Sequence, residues 1–140
     1  MLKVKLTTSL LSPRDVERGV RKAVEEEIYR TARDVETLAK ELVPVVKGNL
    51  QASIHLEQSV VDSMWRVMAG GETIGPEGEF DVTYAEYVEW GTSRMEARPY
   101  LRPAVNEMKA TLRQRLDAID KRVTAALNTS TRIRKVVEIE

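Results

Sequence analysis

Tyr84-Ala85-Glu86-Tyr87-Val88-Glu89-Trp90-Gly91-Thr92, followed after Ser93-Arg94 by Met95-Glu96-Ala97-Arg98-Pro99-Tyr100-Leu101-Arg102-Pro103-Ala104, is the stretch whose reading decides the fold. It holds three of the four tyrosines, one of the two tryptophans and two of the five prolines. Aromatic residues make up only 5% of the chain, so their clustering marks a packing centre or an interface. The spacing puts Tyr84, Tyr87 and Val88 on one side of a short helix, ended by Gly91 at a left-handed C-terminal position. Met95, Tyr100 and Leu101 then re-enter the core, and Trp90 and Tyr100 are the expected buried anchors. Pro99 and Pro103 suit a first helical turn, where a missing N–H costs nothing, so the next helix should begin at one of them.

Working outward, Ser12-Pro13-Arg14-Asp15 reads as a capped helix start. Val16, Val20, Val24, Ile28, Ala32, Val35, Ala39 and Leu42 recur every three or four residues after it, predicting one amphipathic helix to about Val43. At 1.5 Å per residue such a helix reaches roughly 45 Å, enough to face another subunit as well as its own core. Pro44 and Gly48 end it and turn the chain into a sheet. Ile54 and Leu56 alternate with polar residues, as do Met64 to Ala69, which predicts an antiparallel hairpin. Gly70 to Gly78 reads as a flexible loop before a brief strand from Phe80 to Thr83. From Pro99 on, Leu101, Val105, Met108, Leu112, Leu116, Ile119, Val123 and Leu127 form a second helical stripe, expected to end near Asn128-Thr129-Ser130. The two ends, 1–8 and 131–140, read as strand-like or extended arms. Lys3 and Lys5 in one and Glu138 and Glu140 in the other would complement each other if the arms paired. The expected architecture is α+β, one domain over 1–140: two long amphipathic helices on a small antiparallel sheet, with the short aromatic helix between them.

Composition excludes several classes of function. The 140 residues carry 22 Lys and Arg against 22 Asp and Glu, so no global field draws in nucleic acid or an acidic membrane. No cysteine is present, which removes disulfides, thiolate nucleophiles and cysteine metal sites. No apolar run approaches bilayer length and no signal peptide is evident, so the expectation is a soluble protein made inside the cell. His55 is the one histidine and reads as a surface or structural residue. Glu86 and Glu89 lie three apart on a helix but lack a third ligand group, so solvated charge or subunit contact suits them better than catalysis. The glycines from Gly70 to Gly78 match no phosphate-binding fingerprint. We expect no enzyme activity, no cofactor and no metal.

The opening stretch resembles the hallmark of the tail-completion, or head–tail joining, proteins of long-tailed bacteriophages and prophages. That hallmark reads roughly Tyr-Ala-x-Tyr-Val-Glu-Phe-Gly-Thr, a spacer, then Ala-x-Pro-Phe-Leu-x-Pro-Ala. Here Trp90 and Tyr100 stand for the two phenylalanines, and Tyr84, Tyr87, Val88, Glu89, Gly91, Thr92, Pro99, Leu101 and Pro103 match. A second, weaker likeness runs over Pro44-Val45-Val46-Lys47-Gly48-Asn49-Leu50-Gln51-Ala52-Ser53-Ile54, with Val46 and Lys47 replacing the family's usual Asp-Thr. The resemblance implies a virion structural protein of the neck. It would act as a ring, a hexamer in the virion, between the connector or head-completion protein and the tail tube or terminator, with the genome passing through and no sequence-specific nucleic-acid contact. It would be found in the host cytoplasm during assembly. A tail terminator or minor tail protein of the same fold is the first alternative, a small hydrolase or nuclease the second.

Charge is unevenly placed within the neutral total. From Glu72 to Glu96 the acids are Glu72, Glu77, Glu79, Asp81, Glu86, Glu89 and Glu96 against Arg94 alone, whereas Arg98 to Arg122 carries seven cations against three acids. In a ring, opposite patches orient neighbouring subunits. The candidate contacts are Glu86 and Glu89 on one side and Arg102, Lys109 and Arg113 on the other, unless the patches pair within one chain.

Overall fold

The computed structural model describes residues 12–59, 64–75 and 78–136. Among these residues eight elements follow one another: α1 (Pro13–Leu42), α2 (Asn49–Ser53), β1 (His55–Gln58), β2 (Trp65–Met68), β3 (Gly71–Gly75), β4 (Gly78–Val82), α3 (Ala85–Trp90) and α4 (Leu101–Val136). This is the expected α+β arrangement, a helix hairpin of α1 and α4 with small antiparallel sheets beside it.

α1 starts where the sequence signals a cap. Ser12 is extended, and its Oγ accepts from the Asp15 N–H at 3.2 Å while Pro13 fills the first helical position. At the other end the Val43 N–H donates to the Ala39 carbonyl, and Pro44 stops further turns. α4 runs back along α1. Ala104 shares the core with Ala39 and Val43, and further along, Arg115 donates to Thr31 Oγ1 at 2.9 Å and Asp34 Oδ2 at 2.7 Å. The helices are therefore antiparallel, and the Arg115 bonds fix their register.

The core sits at one end of this hairpin. Val35, Ala39 and Val43 of α1 meet Leu50 and Ile54, Val82 and Ala85, and Tyr100 and Ala104. Ala39 and Ala104 let the helix backbones approach, and Tyr100 fills the space between them and α3. Away from this end the two helices cover each other on one side only, so Ile28 and Leu127 of the expected stripes remain exposed, and at the core end Leu42 and Val105, beside Val43 and Ala104, are exposed as well.

The sheet is two separate hairpins. β1 pairs with β2 from His55↔Met68 to Gln58↔Trp65, and β3 with β4 from Gly71↔Val82 to Gly75↔Gly78. Tyr29 of α1 packs on Trp65 with ring centroids 4.7 Å apart. The expected loop from Gly70 to Gly78 thus contains a strand, β3. Its glycines hid the pattern because they contribute no side chain to an alternation. Gly70 needs its left-handed φ of 99°: a Cβ there would lie 2.9 Å from the Val82 carbonyl oxygen.

Two further expectations are corrected. The chain does not pass from Gly48 straight into a strand but makes the short helix α2. Ser53 at its end donates to the Leu50 carbonyl at 2.7 Å and accepts from the Gly70 N–H at 3.0 Å. α4 also continues through Asn128-Thr129-Ser130 to Val136, so 132–136 is helix rather than strand-like. Those three residues cost a helix only fractions of a kcal/mol each, and without Gly or Pro nothing stops it. The arm at 1–8 and the last residues, 137–140, lie outside the described residues.

Candidate functional site

α3 and the start of α4 are tied together by Glu89. The residue is only 4% exposed. Oε2 accepts from the backbone N–H groups of Tyr100 (2.8 Å) and Leu101 (2.9 Å), while Oε1 accepts from the N–H and the Nε of Arg102, both at 3.0 Å. Arg102 Nη2 also donates to the Glu89 carbonyl at 3.1 Å. A helix leaves its first N–H groups without intrahelical partners and carries partial positive charge there. Pro103 has no N–H to satisfy, so one carboxylate reached across from α3 caps the whole first turn of α4. Burial pushes the Glu89 carboxyl up, but the three N–H donors and the Arg102 guanidinium outweigh it and hold it below the usual carboxylate range.

The chain between the helices is shaped around this bond set. Gly91 has φ 75° and ψ 178°, a region essentially closed to other residues and further from ordinary space than the left-handed helical position expected. A Cβ there would lie 2.7 Å from the Ala97 nitrogen and 2.9 Å from the Met95 carbonyl oxygen. Gly91→Val should therefore cost about 3 kcal/mol or more in strain and backbone displacement, read as a lower urea midpoint. A fall of less than about 1 kcal/mol would show that the 91–97 segment relaxes freely. Thr92 and Met95 close a small bridge, with Thr92 Oγ1 accepting from the Arg94 and Met95 N–H groups. The Arg98 N–H then donates to the Val88 carbonyl at 2.8 Å. Tyr100 is fully buried, and its hydroxyl donates to the Ala85 carbonyl at 3.2 Å. Burial first, then Glu89 and Tyr84, push its phenol up to about 12, so it stays a donor.

Several sequence-predicted roles change. Trp90 is not a buried anchor: it is 60% exposed and lies beneath the Arg102 guanidinium, 3.9 Å from ring centroid to Cζ. Met95, Tyr84 and Tyr87 are also exposed, while Val88 and Leu101 pack on the core from its edge. Glu89 and Arg102, proposed as opposite halves of a subunit contact, pair within the chain. Of that set Glu86, Lys109 and Arg113 remain at the surface. His55 is exposed, with Nδ1 2.8 Å from the Ser53 carbonyl oxygen. Among the described residues no cluster of three or more His, Asp or Glu could hold a metal ion, and no helix is long and apolar enough to cross a membrane.

Beside the clasp lies a cleft of about 260 Å³. All of its walls come from two stretches, Pro44 to Leu50 and Tyr84 to Arg98. Pro44, Val46, Leu50, Tyr84, Val88 and Met95 make it apolar, and Lys47 and Arg98 stand on it as cations. Sequence reading gave Val46 and Lys47 no role in a site: they show no periodicity, and they are the two positions at which the weaker family-like stretch departs from its pattern. No family model, curated protein or solved structure matches this chain.

Proposed function

We propose that this protein is a structural component of a tailed-phage or prophage neck, joining head to tail or completing the tail as a ring of subunits. One observation carries the reading: the two stretches that resemble the joining-protein pattern, 44–54 and 84–104, are distant in sequence yet line a single cleft, with the clasp of the second stretch beside it. Glu89, Gly91, Tyr100 and Pro103 hold the clasp rigid, and Tyr84, Tyr87 and Trp90 are left outside it as aromatic side chains of the kind that anchor protein interfaces. The ring partners on either side are a connector or head-completion protein and the tail tube or its terminator.

The test is removal of the encoding frame from the phage or prophage that carries it, followed by micrographs of the induced lysate. Filled heads and finished tails that remain separate are the expected result, and they should rejoin when the purified protein is added. Tails of uncontrolled length would assign the terminator role instead. Normal infectious particles would overturn a neck function altogether.

A further inference from the structure

The two most exposed large apolar side chains among the described residues are Val46, 94% exposed on the cleft wall, and Ile74, 74% exposed on β3. Their surroundings are opposite in charge. In the β3–β4 register Ile74 faces Glu79 and Glu72 faces Asp81, and residues two apart on a strand share a side, so Ile74, Glu72, Glu79 and Asp81 lie on one face of the hairpin. All four are exposed. Three carboxylates therefore surround one apolar side chain. The cleft presents the converse, an apolar floor with Lys47 and Arg98, both exposed, beside it. Among the described residues, none of these five charged groups forms an ion pair within the chain. Neither Ile74 nor any of the three carboxylates lines the cleft of its own chain.

We propose that the hairpin face bearing Ile74 docks into the cleft of a second copy of this chain, Ile74 packing beside Val46 while Lys47 and Arg98 meet Glu72, Glu79 and Asp81. Each copy has one knob and one cleft on different parts of its surface, so the contact is heterologous and each pairing leaves a free knob and a free cleft. Such a contact repeats into a ring when the rotation closes, or into a filament when it does not. Like charges repel in the two wrong pairings, hairpin on hairpin and cleft on cleft, which favours head-to-tail order. The proposal deepens the ring reading above and rests on it for closure. The contact itself is tested without phage particles, so the two can fail separately.

The absence of cysteine in the chain allows a direct test. Val46→Cys and Ile74→Cys are made in separate chains, both at exposed positions, with circular dichroism to confirm folding. On mild oxidation the mixture should form the mixed disulfide dimer at least about tenfold faster than a mixture of Val46→Cys with Leu127→Cys, whose cysteine lies on α4. The advantage should fall with added salt. Lys47→Glu with Arg98→Glu in the cleft chain should abolish it, and Glu72→Lys with Glu79→Lys in the hairpin chain should restore it. Equal rates for the two mixtures, or a reversed-charge pair no better than either single reversal, would overturn the proposal. Cross-linking as proposed with normal particles after gene removal would leave the contact standing and the neck reading refuted.

Discussion

Tyr100→Ala is expected to lower the unfolding free energy by about 3 to 5 kcal/mol, the range for truncating a fully buried aromatic ring. The side chain has no exposure and its hydroxyl donates to the Ala85 carbonyl, so the variant leaves a cavity and removes a buried hydrogen bond to α3. Trp90→Ala should cost only about 1 kcal/mol, because what it removes is a half-exposed ring and its stacking with Arg102. The two substitutions delete aromatic rings ten residues apart, and the smaller ring is expected to be the costlier to lose because it is the buried one. Urea titration of both variants measures it. A Trp90 variant as unstable as the Tyr100 variant would mean that the indole supports the clasp rather than facing outward.

Glu89→Ala should be nearly as damaging, about 3 kcal/mol, since it strips the first turn of α4 of its acceptor and takes the carboxylate partner from Arg102. At roughly 3 °C per kcal/mol for a chain of this size, the Tm should fall by about 9 °C. Glu89→Gln keeps the shape but loses the charge, and its amide would turn donors toward N–H groups, so it should recover little. The pH dependence follows from the depressed carboxyl. A folded-state value below the unfolded one means stability fully present above the unfolded carboxylate value, about 4.3, and lost as pH falls from there through the folded value. The gap in Tm between parent and Glu89→Gln should therefore be widest near neutral pH and narrow below about pH 4. A gap unchanged down to acid pH would mean that the cap acts through shape and not through charge.

How much of this was legible beforehand can be judged residue by residue. Local chemistry determined α1, because Ser12, Pro13 and Pro44 bracket an unbroken apolar period, and it determined the β1–β2 hairpin, because Leu56 on one strand and Val67 on the other stand in alternating patterns and pair with each other. Gly91 was likewise legible as the stop to α3. β3 was not, since its terminal residues are glycine and leave little pattern to read. The end of α4 was misplaced because Ile133, Val136 and Val137 suit a helical period as well as a strand, and weak helix formers are not stop signals.

The site depended more heavily on tertiary structure. Sequence identifies Glu89 as an acid on a short helix, but whether it meets solvent, another subunit or a helix end depends on where the chain eleven to thirteen residues later returns. Gly91 and the bridge from Thr92 to Met95 bring the Tyr100–Arg102 backbone to it, and only then does its charge find four donors. Trp90 and Tyr100 are equally aromatic on paper, and the path of that same turn puts one ring outside and the other inside. The cleft joins segments whose nearest walls, Leu50 and Tyr84, are separated by both hairpins. Local propensity and period decide which elements form. Which of their polar and aromatic side chains become buried is decided by long-range packing, because burial is a property of the neighbours a residue acquires.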